Sequence, residues 1–176
     1  MIDSYDFSRQ MEIGREGVEQ VRELLLDRYE WVNNYEKAAE MQRRGIDLEV
    51  CDLGYVEVKT DLHTTKNFFF ELSANAGPGG LDKSAADYFA FLFPNEGKMF
   101  LIPRPELIFW LRRWATYMIN QNPDCLKLVS SHRGDAVWAV SGIVVPWQDI
   151  LGSLKVITVT FADLSDGSVS LWEGEE

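Results

Sequence analysis

Asp47, Glu57 and Lys59 have the types and spacing for chemistry, and all three fall within the run RRGIDLEVCDLGYVEVKTD, residues 43–61. Two short runs of alternating apolar and charged residues, GIDLEV and YVEVKT, flank a small turn at Asp52, which is the pattern of a β-hairpin. Antiparallel pairing about that turn sets Val50 against Gly54, Leu48 against Val56 and Asp47 against Glu57. Side chains alternate along each strand. Ile46, Leu48, Val50, Val56 and Val58 then share one face, and Asp47, Glu49, Tyr55, Glu57 and Lys59 share the other. Directly opposed residues carry Cβ atoms roughly 4.5–5.5 Å apart, so the two carboxylates converge and repel unless a positive charge lies between them.

A hard divalent cation would satisfy both acids. Mg²⁺ takes oxygen ligands octahedrally, keeps several waters and leaves room in its shell for substrate phosphate; Mn²⁺ is expected to substitute. The backbone carbonyl of Val58, between the two charged residues, offers a third oxygen. Lys59 adds an amine on the same face, able as the ammonium to hold an attacking water or stabilise charge on a phosphate in the transition state, and in its neutral form to deprotonate that water. The set fits metal-dependent phosphodiester hydrolysis. It also fits the solvated back of an ordinary hairpin, since outward strand faces are routinely charged. A register slip of one residue would move every side chain to the other face.

The elements around the hairpin must position it. From about Ser8 to Arg28, Met11, Val18, Val21, Leu24 and Leu25 recur at helical spacing while Glu12, Glu16, Glu19 and Glu23 occupy other faces, which predicts a first helix. The aromatic stretch YEWVNNY ends it, and the short polar segment EKAAEMQRR leads into the hairpin. NFFFEL, residues 67–72, reads as a further strand, followed by the Gly-rich loop SANAGPGGLDKS. ADYFAFLFP and GKMFLIP, joined by NEG, read as a second hairpin. Leu107, Trp110, Leu111, Trp114 and Met118 form a stripe that predicts a helix from Pro105 to Asn122. Strands are expected around AVWAV and KVITVTF, with a helical turn at WQDIL between them. The order implies an α/β or α+β fold with a mixed sheet.

Composition narrows the class. The 176 residues include 46% hydrophobic and 26% charged, as in an ordinary globular chain, and suit one domain over residues 1–176. No run reaches the length that spans a bilayer, no basic-then-apolar leader opens the chain, and two cysteines are too few for a disulfide framework. A cytoplasmic protein with no membrane partner is expected. A net charge of −11 counts against a coat for nucleic acid, although metal-binding carboxylates contribute to it and Arg43 and Arg44 stand just ahead of Asp47.

The motif GID, nine intervening residues, then EVK at the end of an apolar strand resembles the PD-(D/E)xK nuclease superfamily, the fold of many restriction endonucleases and Holliday-junction resolvases. The resemblance covers about residues 11–94, and Ile46 stands where the pattern has proline. It implies a restriction endonuclease-like αβββαβ core with a mixed central sheet flanked by helices, completed by the helix and strands of residues 95–176. NFFFEL would be its third strand, and a short helix at GGLDKSAADY would lead into the fourth. Asp47 and Glu57 would then bind metal, Lys59 would be the catalytic lysine, and a first-helix acid, Glu16 or Glu19, would support the site. Glu71 either projects beside it or faces solvent from its strand, and Arg43, Arg44, Lys66 and Lys83 are either phosphate contacts or solvated surface cations. The implied activity is Mg²⁺-dependent endonucleolytic cleavage of duplex or branched DNA, structure-directed or weakly sequence-specific, by a homodimer if both strands are cut. The alternative is a member of the same fold that binds nucleic acid or a protein partner without catalysis.

Overall fold

The computed structural model describes residues 7–74, 77–133, 136–161 and 171–174. The chain opens with helix α1 (Phe7–Leu26), then strand β1 (Val32–Asn34), the short helix α2 (Ala39–Arg43), and strands β2 (Leu48–Val50) and β3 (Gly54–Thr60). Strands β4 (Asn67–Ala74) and β5 (Gly77–Pro78), then the one-turn helix α3 (Gly80–Lys83), carry the chain over to β6 (Tyr88–Phe93). Next come β7 (Lys98–Pro103), α4 (Arg104–Gln121), β8 (Leu126–Arg133), β9 (Ala136–Pro146), α5 (Trp147–Leu151), β10 (Ile157–Thr160) and β11 (Leu171–Glu173).

Two sheets result. The larger has the order β1-β2-β3-β6-β7-β10-β11, and the smaller has β5-β4-β9-β8. Among the described residues only β3 and β6 run parallel, joined by a long crossover rather than a tight turn, and every other pairing is antiparallel. The fold is therefore α/β with a mixed sheet. The hairpin register is the one that alternation requires, with Leu48 paired to Val56, Glu49 to Tyr55 and Val50 to Gly54. Asp52 takes a left-handed φ of 59° at the turn, where the Leu53 N–H closes on the Val50 carbonyl.

Each face of the large sheet has its own core. On one, Val21, Leu24 and Leu25 of α1 pack on Leu48, Val50, Val56, Ala90, Leu92, Met99 and Leu101. On the other, Phe89, Phe91, Phe93, Phe100 and Ile102 meet Phe68 and Phe70 of β4 with Leu107, Leu111 and Trp147. Phe68 is fully buried, with its ring centroid 5.0 Å from that of Phe91 and 5.5 Å from that of Phe100. Parallel pairing sets Glu57 beside Phe89 and Lys59 beside Phe91, so both charged side chains lie on the second face, away from α1.

Three expectations change. NFFFEL lies in β4 of the second sheet, paired to β9, and is not the third strand of the hairpin's sheet. Its apolar residues alternate onto the face that closes the phenylalanine core, which sequence spacing cannot distinguish from a place in the first sheet. Instead YEWVNNY contains β1, a three-residue strand against β2 too short to show periodicity. Third, of the α4 stripe only Leu107 and Leu111 are fully buried; Trp110, Trp114 and Met118 pack at the margin of the core. The short helix expected in GGLDKSAADY is present as α3.

Candidate active site

Glu57 is the centre of the candidate site. Only 6% of it is exposed, and apart from Ser84 it is the one polar or charged residue buried to this degree among the described residues. Its two carboxylate oxygens differ. Oε1 forms an ion pair with the Lys59 ammonium, while Oε2 is buried with no hydrogen-bond partner. A buried carboxylate oxygen without a donor is costly, so a native structure that keeps one there calls for a ligand or a function.

Two glycines wall this carboxylate. Gly45, at φ 66°, passes so close that a Cβ there would stand 3.1 Å from Oε2 and 3.2 Å from the Ser84 Cα. Gly80 opens α3 on the other side, where a Cβ would stand 3.4 Å from the Lys59 Nζ. Ser84 joins the two walls, since its hydroxyl donates to the Gly45 carbonyl at 3.1 Å and accepts from the Ala86 N–H at 3.2 Å. The loop before β2 and the end of α3 are thereby locked over the buried acid.

Asp47 stands at the start of β2, and its N–H donates to the Val56 carbonyl at 3.0 Å, extending the ladder one residue towards Glu57. Its carboxylate is oriented at both oxygens. Oδ2 accepts the Val58 N–H at 2.8 Å, and Oδ1 accepts the Gln42 amide at 3.2 Å. A residue's N–H and C=O leave a strand on the same side, so the Val58 carbonyl also faces the Asp47 side. The ladder offers it no donor there, because the N–H groups of Gly45 and Ile46 turn back to Gln42 and Met41.

Electrostatics tie the group together. Burial is the largest single influence on Lys59 and acts to lower its pKa, but the Glu57 carboxylate, by charge and by hydrogen bond, and the charges of Asp47 and Glu71 outweigh it. The net shift is upward, which keeps the ammonium charged. Asp47, Glu57, Lys59 and, more weakly, Glu71 therefore form one electrostatic group. Glu71 is half-exposed on β4 beside a bulge.

Other sequence candidates fall elsewhere. Glu16 and Glu19 are exposed on α1, against the opposite sheet face; the Glu19 carboxylate accepts from Asn34 and pairs with Arg22 at 3.6 Å. Because α1 docks on the sheet face opposite Glu57, both acids lie away from the site. Lys66 precedes β4, five residues or roughly 17 Å of strand from Glu71, and is exposed. Arg43 is exposed on α2. Arg44 stands beside Gly45 with its guanidinium 5.8 Å from the Tyr55 ring centroid, and its carbonyl accepts the Ala85 N–H at 2.7 Å. Lys83, exposed at the end of α3, is three residues from Gly80. Sequence spacing did not single out Gln42, Gly45, Gly80 or Ser84, all of which act on the site through tertiary contacts. Gly45 alone carried a signal, as the first residue of the GID motif.

Among the described residues no group of three or more His, Cys, Asp or Glu side chains is disposed to hold a metal ion. The oxygens on offer are the free Glu57 Oε2, the remaining lone pairs of Asp47 and the Val58 carbonyl, a hard-oxygen set of the kind Mg²⁺ accepts when waters complete its shell. No helix among the described residues is long and apolar enough to cross a membrane. No protein-family model, curated protein or solved structure matches the chain.

Proposed function

We propose that this protein is a metal-dependent endonuclease that hydrolyses phosphodiester bonds in duplex or branched DNA, with its centre at Asp47, Glu57 and Lys59. The observation that carries the reading is the buried, unpartnered Oε2 of Glu57 in the same electrostatic group as Asp47 and Lys59. Support also comes from element order. α1, the antiparallel hairpin β2–β3, the helix α3 and the strand β6 parallel to β3 follow the helix, hairpin, helix and strand that the PD-(D/E)xK resemblance implies, whereas the third strand of that sheet is β1, ahead of the hairpin rather than after it, with α2 between β1 and β2 and with β4 and β5 before α3.

Asp47, Glu57 Oε2 and the Val58 carbonyl would hold Mg²⁺ or Mn²⁺. When bound, that ion supplies a Lewis acid and an activated water. Gln42 and the Val58 N–H fix the Asp47 carboxylate before any ligand arrives. Lys59, whose side chain keeps 43% exposure, presents its ammonium to an incoming phosphate and stabilises the charge that grows on it. Arg44, next to Gly45, and Lys83, at the end of α3, would guide the backbone. The net charge of −11 suits structure-directed or weakly sequence-specific cutting.

One observation favours a second reading. The Lys59 ammonium already neutralises Glu57 at Oε1, so the group holds together without metal, as a fold that binds nucleic acid or protein without catalysis would require. The deciding experiment incubates the protein with supercoiled and branched DNA in Mg²⁺, Mn²⁺ or EDTA, with Glu57→Ala and Lys59→Ala alongside. Metal-dependent cutting that falls by about 10²-fold or more in each variant is expected. Absence of cutting on every substrate, with no heat of Mg²⁺ binding, would sink the nuclease reading.

A further inference from the structure

Helix α4 has a second face that the described residues leave uncovered. Leu107 and Leu111 point inward and are buried, whereas Phe109 is 66% exposed and Tyr117 is 65% exposed. Between these lie Trp110 and Trp114, their rings stacked with centroids 5.8 Å apart and an interplanar angle of 27°. Trp114 is fixed by donating its indole N–H to the Asp149 carboxylate at 3.0 Å, across a groove of about 790 Å³ between α4 and α5. The Arg113 guanidinium sits 5.7 Å from the Phe109 ring centroid. Exposed aromatics side by side with an arginine on one helix face are the composition of an interface centre, in which Trp, Tyr and Arg dominate.

The charges on this face identify what covers it. Glu106 and Arg113 are both exposed and stand seven residues apart, two turns along the same stripe. Two such helices packed antiparallel about a two-fold axis pair position i of one with position j of the other, and j with i. With the axis between Phe109 and Trp110, Glu106 meets the partner's Arg113 and Arg113 meets the partner's Glu106. Phe109 then lies on the partner's Trp110, and Trp114 lies over the partner's Pro105, which is also exposed in the single chain. The face is complementary to itself in charge and in apolar surface, whereas an unrelated basic or acidic partner would leave one of the two ions facing its own sign.

We propose that two copies of this chain associate through α4, antiparallel about a two-fold axis between Phe109 and Trp110, with reciprocal Glu106–Arg113 pairs at the two ends. The interface does not involve Asp47, Glu57 or Lys59 and stands whether or not the nuclease reading holds. Sedimentation equilibrium of the full chain tests it. The expected mass is twice 20.2 kDa. Phe109→Glu should sediment as a monomer, and E106R and R113E alone should each raise the dimer dissociation constant at least about tenfold, because each sets two like-charged pairs face to face. The double variant E106R/R113E should return it to within about threefold of wild type, since the swap restores both pairs. Unchanged thermal unfolding would show that these exposed substitutions leave the fold intact. Three results would overturn the proposal: a wild-type monomer at about 100 μM, a concentration where even weak specific dimers form; a dimer that survives Phe109→Glu; or a double variant no tighter than the singles.

Discussion

Lys59 carries two opposing influences, and which one wins follows from its neighbours. Burial favours the neutral amine, while Glu57, Asp47 and Glu71 favour the ammonium, and the carboxylates prevail. Glu57→Gln removes the strongest of these while leaving the burial in place. Its expected effect is a lower Lys59 pKa, read from the Lys59 Cε chemical shift over a pH titration; an unchanged value would mean that Glu57 does not hold the ammonium. The sign for stability follows from linkage. A pKa raised in the folded state means the fold binds the proton more tightly, so the stabilisation is fully present below the unfolded value of about 10.5 and is lost as pH rises through the folded one. Urea titrations should therefore show wild type losing stability more steeply than Lys59→Met above that pH.

Where α1 crosses β3, one glycine decides how closely the two elements approach. A Cβ on Gly17 would overlap the Oγ1 of Thr60, a buried hydroxyl with no hydrogen-bond partner. Alanine gains about 1 kcal/mol over glycine in a helix interior, but overpacking of a fixed contact costs about 1–3 kcal/mol. Gly17→Ala should accordingly destabilise the protein in urea unfolding, and Thr60→Ala should relieve most of the loss in the double variant. Additive effects of the two substitutions would show that the helix moves aside. Thr60 follows Lys59 in β3, so this crossing also fixes the strand that carries Glu57 and Lys59. The helix itself was legible from Val21, Leu24 and Leu25. Its place against β3 was not, since a glycine in a helical pattern does not name the residue it meets.

For the molecule as a whole, the proposed metal site at Glu57 predicts that a divalent ion would act as a stabilising ligand. An ion that binds only the folded state adds RT ln(1 + [L]/Kd), about 2.7 kcal/mol at a hundredfold excess over Kd. Differential scanning calorimetry should show the midpoint rising with Mg²⁺ or Mn²⁺ in wild type and not in Asp47→Asn or Glu57→Gln. A wild-type midpoint indifferent to either ion would favour the reading in which the Lys59–Glu57 pair alone completes the site. Association through α4 would add a second dependence, on protein concentration, which separates from the first because Phe109→Glu abolishes one and leaves the other.

Alternation along GIDLEV and YVEVKT was enough to set the hairpin register and to bring Asp47, Glu57 and Lys59 to one face, because a period of two and a turn at Asp52 leave one pairing that buries Leu48, Val50 and Val56. Helical periodicity likewise located α1 and α4. Tertiary structure decided the rest. It put NFFFEL in a second sheet, set Gly45 and Gly80 against the Glu57 carboxylate, and left Oε2 without a partner. It also turned Glu16 and Glu19 away from the site. Local sequence fixes which way a side chain points from its own strand or helix, whereas burial and the proximity of residues such as Ser84 and Gly45, 39 positions apart, arise only when elements distant in the chain pack together.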